Sequence, residues 1–317
     1  MQLALRCNLV TVEEGRLVDY SADHIDSSEA GELIRFLDGR LHEGGRVGLY
    51  VGVSYRHLMV LRGGYSDRVL CTPPHEAVGR RVVEVMPTPL DGEGEPTARL
   101  LRRLMERSYE LLAGHPINLD RVRRGLKPAN MVWPWGLGRR PRLPPFSERY
   151  GLSSAVISAV SVVKGLGRLA GMRVVDVPGA TGYLDTNYEG KADYALRALE
   201  EGADVVYVHV EAPDEAGHQG SFELKVKAIE DLDRRLLGRL LDRAPDDLVV
   251  AVLSDHMTPV ADRVHVKGPV PYAVAMTSGP IRERRAYDER LAWGVKPLTG
   301  PELLNLVLRL AGGKRGA

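Results

Sequence analysis

From Ala155 onward the chain alternates short apolar runs with helical stretches, and this alternation restricts the fold more than any other feature. The runs Ala155 to Val160, Arg173 to Val177, Ala203 to Val210, Asp247 to Leu253 and Pro271 to Ala275 read as strands. Between them, Val162 to Ala170, Glu189 to Glu201 and Ser221 to Leu241 read as helices. In the last of these, Phe222, Val226, Ile229, Leu232, Leu236 and Leu240 recur with a helical period and mark one face. Strands separated by helices imply an α/β sheet that is mostly parallel.

Sheets of that kind place ligands at the carboxyl ends of their strands. Two of the strongest strands here run directly into ligand-type side chains. The run ending at Val210 is followed by Asp214 and His218, and the run ending at Leu253 by Asp255 and His256; His265 follows on a short loop. Carboxylate oxygen with imidazole nitrogen suits Zn²⁺ or Mn²⁺ rather than Ca²⁺, which prefers oxygen alone. Asp214 and His218 lie one helical turn apart and can serve one ion, while the neighbours Asp255 and His256 can splay around another. A lone Asp-His at a strand end is more often a turn residue or helix cap. The conjunction of two pairs and a third histidine in one sheet is what points to a metal site. His24 and His209 are read as surface or core histidines.

The first part of the chain has a different character. Leu3 to Val12 and Arg16 to Tyr20 read as a hairpin, Ser27 to Leu41 as a helix capped by Ser27, and Val47 to Val53 and His57 to Leu61 as two further strands. A long loop is expected from Thr72 to Pro96, and a helix from Ala98 to Leu112. This is an α+β unit, assigned to residues 1–125, with the α/β unit assigned to 126–317. The stretch Trp133 to Pro145, rich in Pro, Gly and Arg, is expected to connect the two or to line a site.

Composition removes several classes of partner. Lys plus Arg number 43 against 42 Asp plus Glu, a net charge of +1, so nothing favours nucleic acid or an anionic membrane. Cys7 and Cys71 form no disulfide framework and lack metal-site spacing, which fits a reducing cytoplasm. No apolar run approaches the roughly 20 residues of a membrane span, and the opening residues do not read as a signal peptide.

The segments Val208–His218, Leu253–Pro259, Pro178–Lys191, Arg6–Thr11, Gly52–His57 and Trp133–Arg140 closely resemble the cofactor-independent phosphoglycerate mutases of archaeal type, in the alkaline-phosphatase superfamily. The resemblance runs over nearly the whole chain. It implies an alkaline-phosphatase-like core of mostly parallel sheet, incomplete at its N-terminus, with an inserted α+β domain that caps the substrate. It implies interconversion of 3-phosphoglycerate and 2-phosphoglycerate, in glycolysis and gluconeogenesis, through a phosphoserine intermediate. Two divalent ions are expected, Mn²⁺ first, with Zn²⁺, Co²⁺ or Mg²⁺ as alternatives, and no organic cofactor. Asp214, His218 and His265 match one metal site, and Asp255 with His256 the protein half of the other.

In the family an Asp and the Ser nucleophile complete the second site, on a segment preceding what Met1 onward matches. No catalytic residue is therefore expected here; Ser54, Thr181 and Ser254 are read as structural hydroxyls. A misplaced gene start is the favoured source of this difference, ahead of a separate N-terminal polypeptide or a decayed copy. The chain alone is expected to be inactive, since phosphoryl transfer needs its nucleophile. A substrate bearing phosphate and carboxylate needs cations, and Arg56, His57, Arg139, Arg140, Arg149 and Lys164 are the candidates. The alternatives are a related metal-dependent phosphohydrolase, or an inactive metal-binding fragment or partner subunit. Homo-oligomerisation is left open.

Overall fold

Strand β1 (Gln2–Glu13) organises the first part of the fold, because its alternation buries Leu3, Leu5, Cys7 and Leu9 on one face. The computed structural model describes residues 2–278 and 287–312. They fall into two units, Met1–Pro141 and Arg142–Ala317. In the first, β1 is followed by β2 (Arg16–Asp19), α1 (Ser27–Leu41), β3 (Val47–Val53) and β4 (Arg56–Arg62). Then come β5 (Val69–Leu70), α2 (Val82–Val85), β6 (Thr88–Pro89), α3 (Glu95–Ala113), α4 (Pro116–Arg123) and β7 (Met131–Arg139). The main sheet runs β2-β1-β4-β3, with β7 also on β1, and every pairing is antiparallel. Leu3, Leu5 and Leu9 pack with Leu33, Ile34 and Leu37 of α1 and Leu101 and Leu104 of α3. Each such buried side chain stabilises the unit by about 1.5–3 kcal/mol relative to exposure.

Three details differ from the sequence reading. Asp26, not Ser27, caps α1, accepting a hydrogen bond from Ser28 N at 2.7 Å. The stretch 72–96, expected as loop, contains α2 and β6. Residues 133–139, expected in a connection, are strand: β7 pairs with β1 from Leu3↔Arg139 to Val10↔Met131. The first unit therefore extends to Pro141, beyond the expected division after residue 125. Pro134 is tolerated in β7 because β1 is the strand's ladder partner among the described residues, leaving an edge that needs no donor.

The second unit contains α5 (Phe146–Tyr150), β8 (Ser154–Ile157), α6 (Ser161–Leu169), β9 (Arg173–Val175), α7 (Tyr188–Glu200) and β10 (Val205–Val208). Next come α8 (Ala212–Gln219), α9 (Phe222–Asp231), α10 (Arg239–Arg243), β11 (Val249–Leu253), β12 (Tyr272–Met276) and α11 (Gly300–Gly312). Strands β10-β8-β9 form a parallel sheet, whereas β11 and β12 form a separate antiparallel pair. β8 is buried throughout, while β10 and β11 are only half-buried. Alanines supply much of the core: Ala155, Ala192, Ala195, Ala198, Ala212, Ala216 and Ala228 are all buried. The apolar face expected over 221–241 does not hold as one stripe. A π-helical turn, Leu232–Gly238, intervenes and shifts the phase, so Leu236 and Leu240 are buried while Phe222 and Ile229 are exposed.

Candidate metal centre

The loops after β10 and β11 carry the cluster. Helix α8 opens with Pro213 in its first turn, a position that needs no amide donor, and its first turn holds Asp214. His218 lies one turn later on the same side, its Nε2 3.3 Å from Asp214 Oδ2. The segment after β11 runs through Asp255 and His256 and folds back, with Val266 N donating to Met257 O at 2.9 Å. That return delivers His265, whose Nε2 lies 3.3 Å from Asp214 Oδ1 and 3.1 Å from His218 Nε2. Among the described residues, Asp214, His218 and His265 are the group of three or more whose donors converge closely enough to hold an ion.

Gly217 makes this convergence possible. A Cβ there would sit 2.4 Å from the carbonyl oxygen of Thr258, so only glycine lets the 256–258 segment dock against α8. Docked there, the Thr258 hydroxyl donates to Asp214 Oδ1 and lies 3.2 Å from His256 Nδ1. The Thr258 carbonyl in turn accepts from Lys225 Nζ at 2.5 Å. The His256 ring packs 3.9 Å from the His265 ring, and His256 Nε2 lies 3.6 Å from Asp255 Oδ1. The five residues singled out as ligands are thus brought together: three around Asp214, and Asp255 joined to them through His256.

The donors fit a divalent ion. Four ligands at about 2.0–2.1 Å in a tetrahedron stand about 3.3 Å apart. His218 Nε2 and His265 Nε2 stand 3.1 Å apart, His218 lies 3.3 Å from Asp214 Oδ2 and His265 3.3 Å from Asp214 Oδ1, and one donor atom from each of the three residues lies within 4.8 Å of the others. His218 Nδ1 lies 2.9 Å from Arg263 O, a carbonyl that can only accept, which leaves the Nε2 lone pair toward the cluster. Arg263 holds that carbonyl from a left-handed backbone, φ 57°. The side chains are open to solvent to different degrees, His265 by 54% and Asp214 by 22%. Around them, burial raises the Glu211 carboxyl, with the charges of Glu215 and Asp214 adding to it. Burial lowers the Lys225 ammonium and the His209 imidazole. His209, read as core or surface, is half-buried and bonds Ser158 Oγ through Nδ1 at 3.2 Å. Thr258, Lys225 and Gly217 were not singled out from sequence. The signal was a hydroxyl two positions after His256 and a glycine directly before His218.

The candidate substrate cations are engaged in different ways. The Arg139 fork reaches both carboxylate oxygens of Asp67 at 3.1 Å, and Lys164 pairs with Asp176 at 2.6 Å. Arg56 stacks over Tyr55 and Arg149 over Tyr150, while Arg140 is exposed. His57 is buried: its Nδ1 accepts from Gly52 N at 3.1 Å, Nε2 has no partner, and burial pushes its pKa down to about 4. Between pH 6.5 and 4 the unfolded chain therefore binds the proton more readily than the folded one. Stability is present above the unfolded pKa and lost as pH falls through the folded one. The loss expected is about 3 kcal/mol at 1.36 kcal/mol per unit. Urea titrations of parent and His57→Asn, which keeps an acceptor near Nδ1, should differ by that pH-dependent component. An identical acid loss in both would exclude His57 as its source.

Comparison with known proteins gives a consistent result. A family model described as 2,3-bisphosphoglycerate-independent phosphoglycerate mutase matches residues 1–118. A second, described as type I phosphodiesterase / nucleotide pyrophosphatase, matches residues 95–283. A 2,3-bisphosphoglycerate-independent phosphoglycerate mutase of Methanosarcina acetivorans is 48% identical over 278 residues, 87% of this chain and 68% of its own length. A relative of the same description, numbered 2, from Methanothermobacter thermautotrophicus is 48% identical over 288 residues, 90% and 69% of the two chains. The solved cofactor-independent phosphoglycerate mutase of Thermoplasma acidophilum superposes with a TM-score of 0.64 at 27% identity, covering 98% of this chain and 77% of that one.

Proposed function

The chain belongs to the 2,3-bisphosphoglycerate-independent phosphoglycerate mutase family, and on that premise we propose that it forms the metal-holding part of an enzyme interconverting 3-phosphoglycerate and 2-phosphoglycerate. The carrying observation is the convergence of Asp214, His218 and His265, one donor atom from each within 4.8 Å of the others. These three residues hold one divalent ion, and Asp255 with His256 supplies two ligands of a second. When bound, the ions supply positive charge against the phosphoryl group as negative charge develops on it. The chain's own residues do the positioning. Asp214 is held by the Thr258 hydroxyl, and His218 by the Arg263 carbonyl. Thr258 is a poor candidate for accepting the phosphoryl group, because it is buried and its proton is committed to Asp214. The chain spans about two thirds of the length of the Methanosarcina relative, 68%, and the phosphoryl acceptor is proposed to lie in the part of that relative it does not match. Substrate grip is assigned to some of Arg56, Arg139, Arg140, Arg149 and Lys164; His57 is left out of that set because it is buried and its pKa is pushed down to about 4.

Two measurements test this. Titrating the purified chain with Mn²⁺ should reveal one ion held well and a second held at least about tenfold more weakly, a difference of roughly 1.4 kcal/mol. Two equally tight sites, or none, would sink the assignment. The chain alone should not convert 3-phosphoglycerate, and a polypeptide carrying the part of the Methanosarcina relative that this chain does not match should restore turnover. Robust conversion by the chain alone would show that a hydroxyl within it serves. The match of residues 95–283 to phosphodiesterases supports a second reading, a metal-dependent phosphohydrolase. Hydrolysis of bis(p-nitrophenyl) phosphate by the metal-loaded chain, without mutase activity in the restored system, would favour it.

A further inference from the structure

We propose that Thr258 is a positioning residue that fixes the imidazole tautomer of His256 and ties the two halves of the cluster together. The inference rests on the reading of Asp214 and His256 as ion ligands. Thr258 is 4% exposed, and its hydroxyl oxygen meets two partners, Asp214 Oδ1 and His256 Nδ1, the latter at 3.2 Å. A hydroxyl has one proton, and a carboxylate can only accept. The Thr258 proton therefore goes to Asp214, and toward His256 the oxygen must accept. His256 then carries its proton on Nδ1, which leaves the Nε2 lone pair on the side where Asp255 Oδ1 lies 3.6 Å away. One hydroxyl thus orients the Asp214 carboxylate for one ion and selects the His256 nitrogen offered to the other.

The backbone that carries the hydroxyl is held from two sides. The Thr258 carbonyl is held by Lys225 of α9 at 2.5 Å. The same peptide packs against Gly217 of α8, where a Cβ would come within 2.4 Å of it. Two helices therefore fix the backbone from which the side chain projects. Groups that orient ligands in this manner typically change metal affinity by 10–100-fold when removed.

The test uses the whole chain in three forms: parent, Thr258→Val, which keeps the shape without the hydroxyl, and Thr258→Ser, which keeps the hydroxyl. Long-range ¹H–¹⁵N spectra of the metal-free proteins at about pH 8, above the ordinary histidine pKa, report the His256 tautomer directly. The parent and Thr258→Ser should show the proton on Nδ1, and Thr258→Val should lose that preference. Mn²⁺ affinity should fall by about 10–100-fold in Thr258→Val and return to within about threefold of the parent in Thr258→Ser. A parent His256 protonated on Nε2 overturns the proposal whether or not the variants fold. So does a Val variant with the parent tautomer and parent affinity. If the parent binds no Mn²⁺ at all, the ion-ligand reading fails, while the tautomer spectra still decide whether Thr258 sets the His256 proton.

Discussion

Replacing Asp214 by Ala is expected to lower Mn²⁺ affinity by at least about a thousandfold, roughly 4 kcal/mol. Asp214 is where the cluster meets: it lies 3.3 Å from both His218 and His265, 4.0 Å from His256, and accepts the Thr258 hydroxyl proton. Its removal leaves two neutral imidazoles, the negative ligand is gone, and the Thr258 hydroxyl loses its acceptor. Removing His265 subtracts one exposed neutral ligand and leaves the Asp214–His218 pair in place, so it should cost less, about 10–100-fold. Calorimetric titration of both variants, with circular dichroism to confirm folding, checks the order. A loss below about tenfold in Asp214→Ala, or a larger loss in His265→Ala, would show that the ion is held elsewhere.

The second large effect is a gain. Lys191 in α7 is 1% exposed, and its Nζ donates to His209 O at 3.0 Å. Burial pulls its pKa down to about 8, with the Glu211 charge partly opposing the shift. The sign follows from where protons bind. Between pH 8 and 10.5 the unfolded chain holds the proton that the folded chain releases, so stability rises with pH across that window. At neutral pH the buried ammonium costs the fold up to about 3 kcal/mol. Lys191→Met keeps the apolar stem and drops the charge. It should raise unfolding free energy at pH 7 by about 1–3 kcal/mol and flatten the rise above pH 8, both read from urea titrations. Equal or lower stability would mean that the amine's hydrogen bonding outweighs its desolvation. A stabilising variant with lower turnover in the restored enzyme would place Lys191 among residues kept for function at the expense of stability.

What sequence could give depended on how local the determinant was. That Asp214, His218, Asp255 and His256 lie close together was legible because each sits within a few residues of the strand that precedes it. The parallel direction of β8, β9 and β10, though not their order, was legible from strands alternating with helices. The partner of β7 was not, because Leu3 and Arg139 pair across most of the first unit, and Pro134, Gly136 and Gly138 resemble a connection. The Arg139 contact was hidden for the same reason: Asp67 lies 72 residues away. β12 reads as another strand of the alternation, yet it runs antiparallel to β11, a direction that local pattern does not encode. The stripe over Phe222, Ile229 and Leu236 assumed an unbroken 3.6-residue period, which the π-helical turn interrupts. The role of Thr258 required the close approach at Gly217, a three-dimensional fact.

The division of the second unit's strands into two sets has a consequence for folding. Among the described residues, β10-β8-β9 and β11-β12 share no ladder, so no backbone hydrogen bonds between strands join the two sets. His218 follows β10 of one set and His265 lies between β11 and β12 of the other, 47 residues apart in sequence. An ion gripped by both would act as a cross-link, closing a loop of that length. Tying such a loop removes conformational freedom from the unfolded chain worth at most about 4 kcal/mol, on the same chain-entropy argument used for disulfides. The residues proposed to hold the ion would then double as the clasp of the unit that carries them.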